Sequence, residues 1–150
     1  MKILKIAFLI SITVLLCSCS NRKWDDNTKS LRLEFKLVRD ATDKNNLILE
    51  DKVLLRNEDI SNAFASSDQN KKAIIHLTFT KEGAESFKTI TANNTMKQLA
   101  ILLDGKIVSA PFIAGPVNTG STLITISEIT PNEAKEIVAG ILKYKDNPNK

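Results

Sequence analysis

The segment 99–103 (LAILL) is continuously apolar and is followed directly by Asp104 and Gly105. An Asp-Gly pair accepts positive backbone φ angles, so it favours a tight turn between two antiparallel strands. The return strand is predicted over residues 106–110 (KIVSA). Because side chains alternate between the two faces of a strand, the apolar segment requires apolar cover on both faces. It therefore predicts a central strand that the rest of the chain has to cover.

Proline and glycine residues follow the return strand at four positions between 111 and 120. Proline fixes φ and glycine marks turns, so Pro111, Phe112 and Ile113 are predicted to lie on a short, stiff loop segment. Apolar side chains held between rigid residues can form a preorganised binding patch. These three residues are therefore the candidate binding residues. The alternative is that Phe112 and Ile113 only cap the core of the sheet.

Two motifs in this part of the chain resemble those of a known family. Residues 79–87 read FTKEGAESF and residues 100–113 read AILLDGKIVSAPFI. In this order and spacing they resemble the periplasmic head subdomain (P1 head) of the bacterial protein-export factor SecD, or SecDF. The resemblance extends more weakly from Leu31 to Leu142. It implies contact with polypeptides that emerge from the translocon, although a fold alone does not name a function.

The start of the chain has the pattern of a secretory signal. Two lysines in the first five residues precede an apolar stretch over residues 6–16 and a segment of small residues over 17–20 (CSCS). The stretch is shorter than the roughly 20 apolar residues that a membrane-spanning helix needs. Residues 16–19 (LCSC) resemble a bacterial lipobox, which implies cleavage before Cys19 and lipidation of its sulfur. The alternative is an ordinary secreted protein that is cleaved near Ser20.

These features divide the chain into four parts. We predict a lipoprotein signal peptide over residues 1–18, a polar tether over 19–30, one domain over 31–144 and a disordered tail over 145–150. Cys19 is the only cysteine left after the predicted cleavage, so the domain has no internal disulfide and its stability has to come from burial. A lipid on Cys19 would anchor the domain to a bacterial membrane, facing the periplasm or the cell exterior.

The predicted domain combines strand and helix patterns. Strands are predicted over residues 31–37, 53–55, 72–79, 99–103, 106–110 and 121–127. The first helix is predicted over residues 81–93 with Thr80 as N-cap, and the second follows the capping box Thr130 to Glu133. We therefore predict an α+β domain in which two amphipathic helices pack on one face of a mainly antiparallel β-sheet.

The composition does not favour catalysis or nucleic-acid binding. His76 is the only histidine and lies on the more polar face of its strand, so we predict a structural or exposed side chain. The sequence has no glycine-rich phosphate loop, nucleophile elbow or cluster of metal ligands. Two of the 21 basic residues leave with the signal. The remaining 19 basic residues face 17 acidic residues, so the mature net charge is about +2, without the strong positive charge typical of nucleic-acid binding. We predict no enzyme activity, no cofactor, no metal and no nucleic-acid partner.

A binding function is the remaining prediction. We expect a membrane-tethered extracytoplasmic lipoprotein whose SecD head-like domain binds a protein or peptide, such as a translocon component or an exported chain, as an auxiliary to protein export. Proton-driven coupling needs ionisable residues inside membrane-spanning segments, and we expect none here. The alternative is a structural or inhibitory envelope lipoprotein that binds one fixed protein partner.

Overall fold

The structure is a computed structural model of the 150-residue chain and describes residues 29–43, 46–126 and 129–147. The predicted signal peptide, Cys19 and most of the predicted tether lie outside these residues. No helix within the described ranges is long and apolar enough to cross a membrane.

The described residues form eight strands and two α-helices. In chain order these are β1 (Leu33–Asp43), β2 (Asn46–Leu49), β3 (Leu55–Arg56), β4 (Ile60–Ser67), β5 (Ala73–Phe79), α1 (Lys81–Asn93), β6 (Leu99–Leu103), β7 (Lys106–Ser109), β8 (Ser121–Thr125) and α2 (Pro131–Asp146). A single 3-10 turn, Asn57–Asp59, leads into β4.

The strands pair in two antiparallel sheets. The large sheet has the order β2-β1-β6-β7, with β3 also paired to β1, and the small sheet has the order β4-β5-β8. Strand β6 lies between β1 and β7, and all five of its residues are buried, which confirms the predicted central strand. Asp104 and Gly105 adopt φ angles of 48° and 79° in the predicted turn.

One core joins both sheets and both helices. Three aromatic rings meet in it: Phe35 of β1 lies 6.2 Å from Phe79 of β5 and 6.4 Å from Phe87 of α1, and the last two rings are 4.6 Å apart. Helix α2 adds Ala134 and Ile141 to the same core. Both helices contact β5. The α+β class with two helices and mainly antiparallel strands is thus confirmed, and its division into two sheets is a further feature.

The helix starts follow the predicted caps. The Thr80 hydroxyl accepts a hydrogen bond from the Gly83 N–H at 3.0 Å. At the start of α2, the N–H and the hydroxyl of Thr130 donate to the Glu133 carboxylate, and these two bonds lower the pKa of Glu133. A Cβ atom at Gly83 would overlap the carbonyl oxygen of Asp59, so glycine lets α1 approach the 3-10 turn closely.

The sequence prediction missed strands β2 and β4, and it placed the ends of β1 and α2 too early. Strand β1 continues to Asp43 because it pairs with β2, a strand that the polar composition around residue 45 did not indicate. Helix α2 continues to Asp146, two residues beyond the predicted domain end. Two carbonyls of its last turn, those of Lys143 and Tyr144, accept the Asn147 N–H, and basic residues in the last turn interact favourably with the helix dipole.

A buried amide connects the start of β1 to α2. Asn57 is completely buried. Its Oδ1 accepts the Leu33 N–H at 2.8 Å, and its Nδ2 donates to the carbonyls of Leu31 at 3.1 Å and Ile141 at 3.0 Å. One side chain therefore satisfies three backbone groups from two separate segments of the chain.

We predict that Asn57→Leu lowers the free energy of unfolding by about 2–4 kcal/mol, because leucine fills a similar volume but leaves buried backbone groups without partners. Urea denaturation would measure the loss. The control is Asn93→Leu at the exposed end of α1, where we expect a change within about 0.5 kcal/mol. Equal losses in the two variants would contradict a stabilising role for the amide.

A second set of polar contacts connects the residues that precede β1 to the turn between β6 and β7. The Asp104 carboxylate accepts Lys29 Nζ at 2.6 Å and the Arg32 N–H at 2.9 Å, and the Asp104 N–H donates to the Arg32 carbonyl at 2.8 Å. Partial burial acts to raise the pKa of Asp104, but the hydrogen bonds from Lys29 and Arg32 outweigh it and lower the pKa below its ordinary value.

Because the pKa of Asp104 is lower in the folded state, its stabilisation is present above about pH 4 and is lost as pH falls through the folded-state pKa. We therefore predict that Asp104→Asn is less stable than the parent chain at neutral pH and that the difference shrinks below about pH 4. Asparagine tolerates the positive φ of this turn, so the backbone is retained. Denaturation at a series of pH values measures the difference. A difference independent of pH would refute the role of the charge.

Candidate functional site

The loop between β7 and β8, which contains the candidate binding residues, is attached by its backbone to the segment before β6. The Leu99 N–H donates to the Pro111 carbonyl at 2.9 Å. The Ile113 N–H donates to the Lys97 carbonyl at 2.9 Å, and the Ile113 carbonyl accepts the Met96 N–H at 2.8 Å. Met96 has a φ of 68°, in the left-handed region. The backbone on both sides of Phe112 is thus fixed.

The second half of this β7–β8 loop is attached to α1 and β5. Thr91 is a buried residue of α1, and its hydroxyl donates to the Phe87 carbonyl and accepts the Val117 N–H, both at 2.9 Å. The Phe79 N–H donates to the Gly120 carbonyl at 3.0 Å. Hydrogen bonds to the scaffold therefore determine the conformation of the loop, and none of them involves the Phe112 side chain.

The three predicted binding residues occupy different environments. Ile113 is 6% exposed and belongs to the core, whereas Phe112 is 67% exposed and Pro111 is also exposed. The alternative interpretation, that these side chains only cap the core of the sheet, thus describes Ile113 but not Phe112. A large aromatic side chain points to solvent from a fixed backbone, next to a buried neighbour.

A cavity of about 280 Å³ lies beside these residues, between the β7–β8 loop, α1 and β8. Phe87 and Ile101 line it from the core, and Pro111, Phe112 and Leu123 are among its exposed lining residues. None of the residues that line it carries a charge. Cavities of this kind bind apolar groups, because burying a charge there without a partner is costly.

The strand pattern did not identify Leu123 as a site residue, although it is 59% exposed and lines the cavity. The signal in the sequence is the pair Leu123 and Ile124, since neighbouring residues of a strand point to opposite faces. One of the two had to lie outside the core. Thr91 and its role in fixing the loop had no signal in the sequence, because a single threonine in a helix is common.

His76 lies on the outer face of the small sheet. Its ring stacks on Phe64 with centroids 4.2 Å apart and planes 9° from parallel, and its Nε2 lies 2.7 Å from the Ser66 hydroxyl oxygen. Both partners come from the neighbouring strand β4. The imidazole ring is therefore packed against two side chains of β4. Within the described residues, no three His, Cys, Asp or Glu side chains are grouped so that they could hold a metal ion.

Comparison with known proteins gives relatives of one kind. The chain is 41% identical over 91 residues to the protein translocase subunit SecD of Rickettsia felis, which covers 61% of this chain and 17% of that protein. It is 37% identical over 112 residues to the protein translocase subunit SecDF of Thermus thermophilus, which covers 73% of this chain and 15% of that protein. The chain thus spans less than a fifth of the length of either relative.

A solved structure of SecDF, described as a membrane component that enhances protein export, has the same fold. It superposes with a TM-score of 0.67 and 26% identity over 77% of this chain and 63% of that chain. The family model described as the P1 head subdomain of SecDF matches residues 34–143, a range that contains both motifs of the predicted resemblance. The chain therefore belongs to the SecDF P1 head subdomain family.

Proposed function

We propose that this chain is a membrane-tethered extracytoplasmic lipoprotein whose head domain binds polypeptides and assists protein export. The observation that carries the proposal is Phe112, exposed on an anchored loop at an uncharged cavity. Membership of the SecDF head family supports the connection to export, since relatives are named as protein translocase subunits.

The position of Phe112 suits binding without rearrangement. The backbone of Pro111 and Ile113 is already hydrogen-bonded to the scaffold, so binding fixes few additional torsions. Fully burying a phenylalanine side chain contributes about 1.5–3 kcal/mol, and in the free protein two thirds of this side chain is exposed. A partner that covers Phe112 therefore gains affinity at little entropic cost to this domain.

The chemistry of the cavity selects the partner. Its lining contains aromatic and aliphatic side chains, two threonines and no charge, so it favours apolar segments over the charged surface of a folded protein. Apolar segments are exposed in chains that have not yet folded, and exported polypeptides in transit are such chains. The proposed partner is therefore an unfolded exported polypeptide.

The proposed anchor sets the distance to the membrane. Nine residues, 20–28, lie between Cys19, the proposed lipidation site, and Lys29, where the described residues begin, so ten Cα–Cα steps connect the two. A chain of this length spans at most about 35 Å, so a lipidated domain would stay close to the membrane surface. Anchoring in the membrane that holds the export sites would raise the local concentration of the domain there.

The binding proposal predicts that a photocrosslinking residue in place of Phe112 captures several unrelated exported chains in cells. The control carries the same residue in place of Lys88, which is exposed on α1, and we expect no such adducts from it. Mass spectrometry identifies the adducts. A single envelope protein as the only adduct would instead support the alternative of one fixed partner, and identical adducts from both positions would refute the proposed site.

The anchor proposal predicts that Cys19→Ser abolishes incorporation of a fatty-acid label and moves the protein from the membrane fraction to the soluble fraction. Two chains on one cysteine give stable anchoring, and serine carries no thioether. Cys17→Ser is the matched control and keeps both the label and the location. Label that remains in Cys19→Ser, or that is lost equally in both variants, would contradict lipidation at Cys19.

A further inference from the structure

Strand β8 is an edge of the small sheet, whose order is β4-β5-β8. The Phe79 N–H donates to the carbonyl of Gly120, directly before β8. Hydrogen-bonding groups alternate in direction along an antiparallel strand, so the backbone groups of Thr122 and Ile124 also face β5. Those of the residues in between face away from the sheet.

The outward groups of β8 are available. Among the described residues, the outward N–H and carbonyl groups of Leu123 and Thr125 have no hydrogen-bond partner, whereas the Ser121 carbonyl accepts the Thr119 hydroxyl at 3.0 Å. The strand reads STLIT, without a charge or a proline. Charges, prolines and covering side chains are the usual means by which an edge strand is kept from pairing with another chain.

The opposite edge of the same sheet is partly covered by side chains. Along β4, the Ser61 carbonyl accepts Lys145 Nζ at 3.3 Å, and the Ala63 N–H donates to Asn62 Oδ1 at 2.9 Å. Two of its backbone groups are therefore occupied by side chains. On β8 the outward groups of Leu123 and Thr125 carry no such side-chain contact among the described residues, so this part of the edge can accept a further strand.

The open edge adjoins the uncharged cavity. Thr122 and Leu123, which point to opposite faces of β8, both line the cavity that Phe112 also lines. A strand laid against β8 would have alternate side chains on the cavity side, and Phe112 would lie next to it. Backbone hydrogen bonds and a pocket for alternate side chains are the two components of recognition by strand addition.

We infer that β8 binds an extended polypeptide as a fourth strand of the small sheet, with an uncharged side chain of that segment in the cavity. The inference rests on the proposed function and specifies its substrate class: an unfolded chain, recognised through its backbone, with uncharged residues at alternate positions. Backbone pairing depends little on sequence, so one site accepts many exported chains. A charged side chain that faces the cavity weakens binding, because the cavity offers no partner charge.

The test removes one outward donor from the full chain. Thr125→Pro deletes the outward N–H without deleting a hydrogen bond to β5, a position at which edge strands tolerate proline. Thr125→Ala is the matched control, since it loses the same exposed side chain but keeps the N–H. The probe is a fluorescein-labelled acetylated and amidated peptide of alternating threonine and valine, and binding is measured by fluorescence anisotropy. Thermal unfolding of each variant checks that the fold is retained.

We expect Thr125→Pro to weaken binding about tenfold, the effect of one lost buried backbone hydrogen bond, and Thr125→Ala to bind as the parent does.

Should Thr125→Pro fail to fold, hydrogen exchange on the parent chain tests strand addition without a substitution. With the peptide bound, the amides of Leu123 and Thr125 are slowed, while the Thr122 amide is already slow without it. Equal binding by the proline and alanine variants, or no slowing of the outward amides, overturns strand addition.

Crosslinking from position 112 separates this inference from the proposed function. Adducts with exported chains that persist in Thr125→Pro leave the proposed function intact and overturn strand addition, whereas adducts lost only in Thr125→Pro support both. Absence of adducts in the parent chain refutes the proposed function itself. Analytical sedimentation tests whether a second copy of this chain occupies the edge of β8. A dimer of the parent chain that Thr125→Pro abolishes would identify that copy as the partner of β8 and overturn the inference.

Discussion

The Asn57 amide is the interaction on which the two ends of the domain depend. It is fully buried and connects the backbone at the start of β1 to the carbonyl of Ile141 in α2. Hydrophobic burial alone would allow the last helix to slide over the sheets, because apolar contacts are not directional. Directional hydrogen bonds, from the Asn57 amide to the Ile141 carbonyl and from the Leu31 N–H to the Gly140 carbonyl, fix the position of α2.

The site uses this fixed scaffold as a support. The conformation of its loop depends on the buried Ile113 and on donors and acceptors supplied by Lys97, Thr91 and β5. A phenylalanine side chain on a free loop would fold back onto the nearest apolar surface. Here the buried Ile113 attaches the loop to the core, and Phe112 is left in solvent. The exposure of one residue thus follows from the burial of its neighbour.

Local rules predicted most of the fold. The apolar run 99–103 with its Asp-Gly turn predicted the central hairpin, and Thr80 and Thr130 predicted both helix starts. The division into two sheets could not be predicted in this way, because alternation gives the faces of a strand but not its partners. For the site, the short rigid segment at Pro111 was predicted. The difference in exposure between Phe112 and Ile113 depends on hydrogen bonds to residues far away in sequence. Leu123 and Thr91 joined the site only through tertiary contacts.

The left-handed backbone of Met96 has a consequence for the mobility of the loop. A non-glycine residue in this conformation is strained by about 1–2 kcal/mol, and here the strain aligns the Met96 N–H with the carbonyl of Ile113. Undocking the loop would relieve the backbone strain at Met96. This relief would offset part of the free energy that is lost with the broken hydrogen bonds. The docked and undocked states are therefore closer in free energy than the number of their hydrogen bonds indicates.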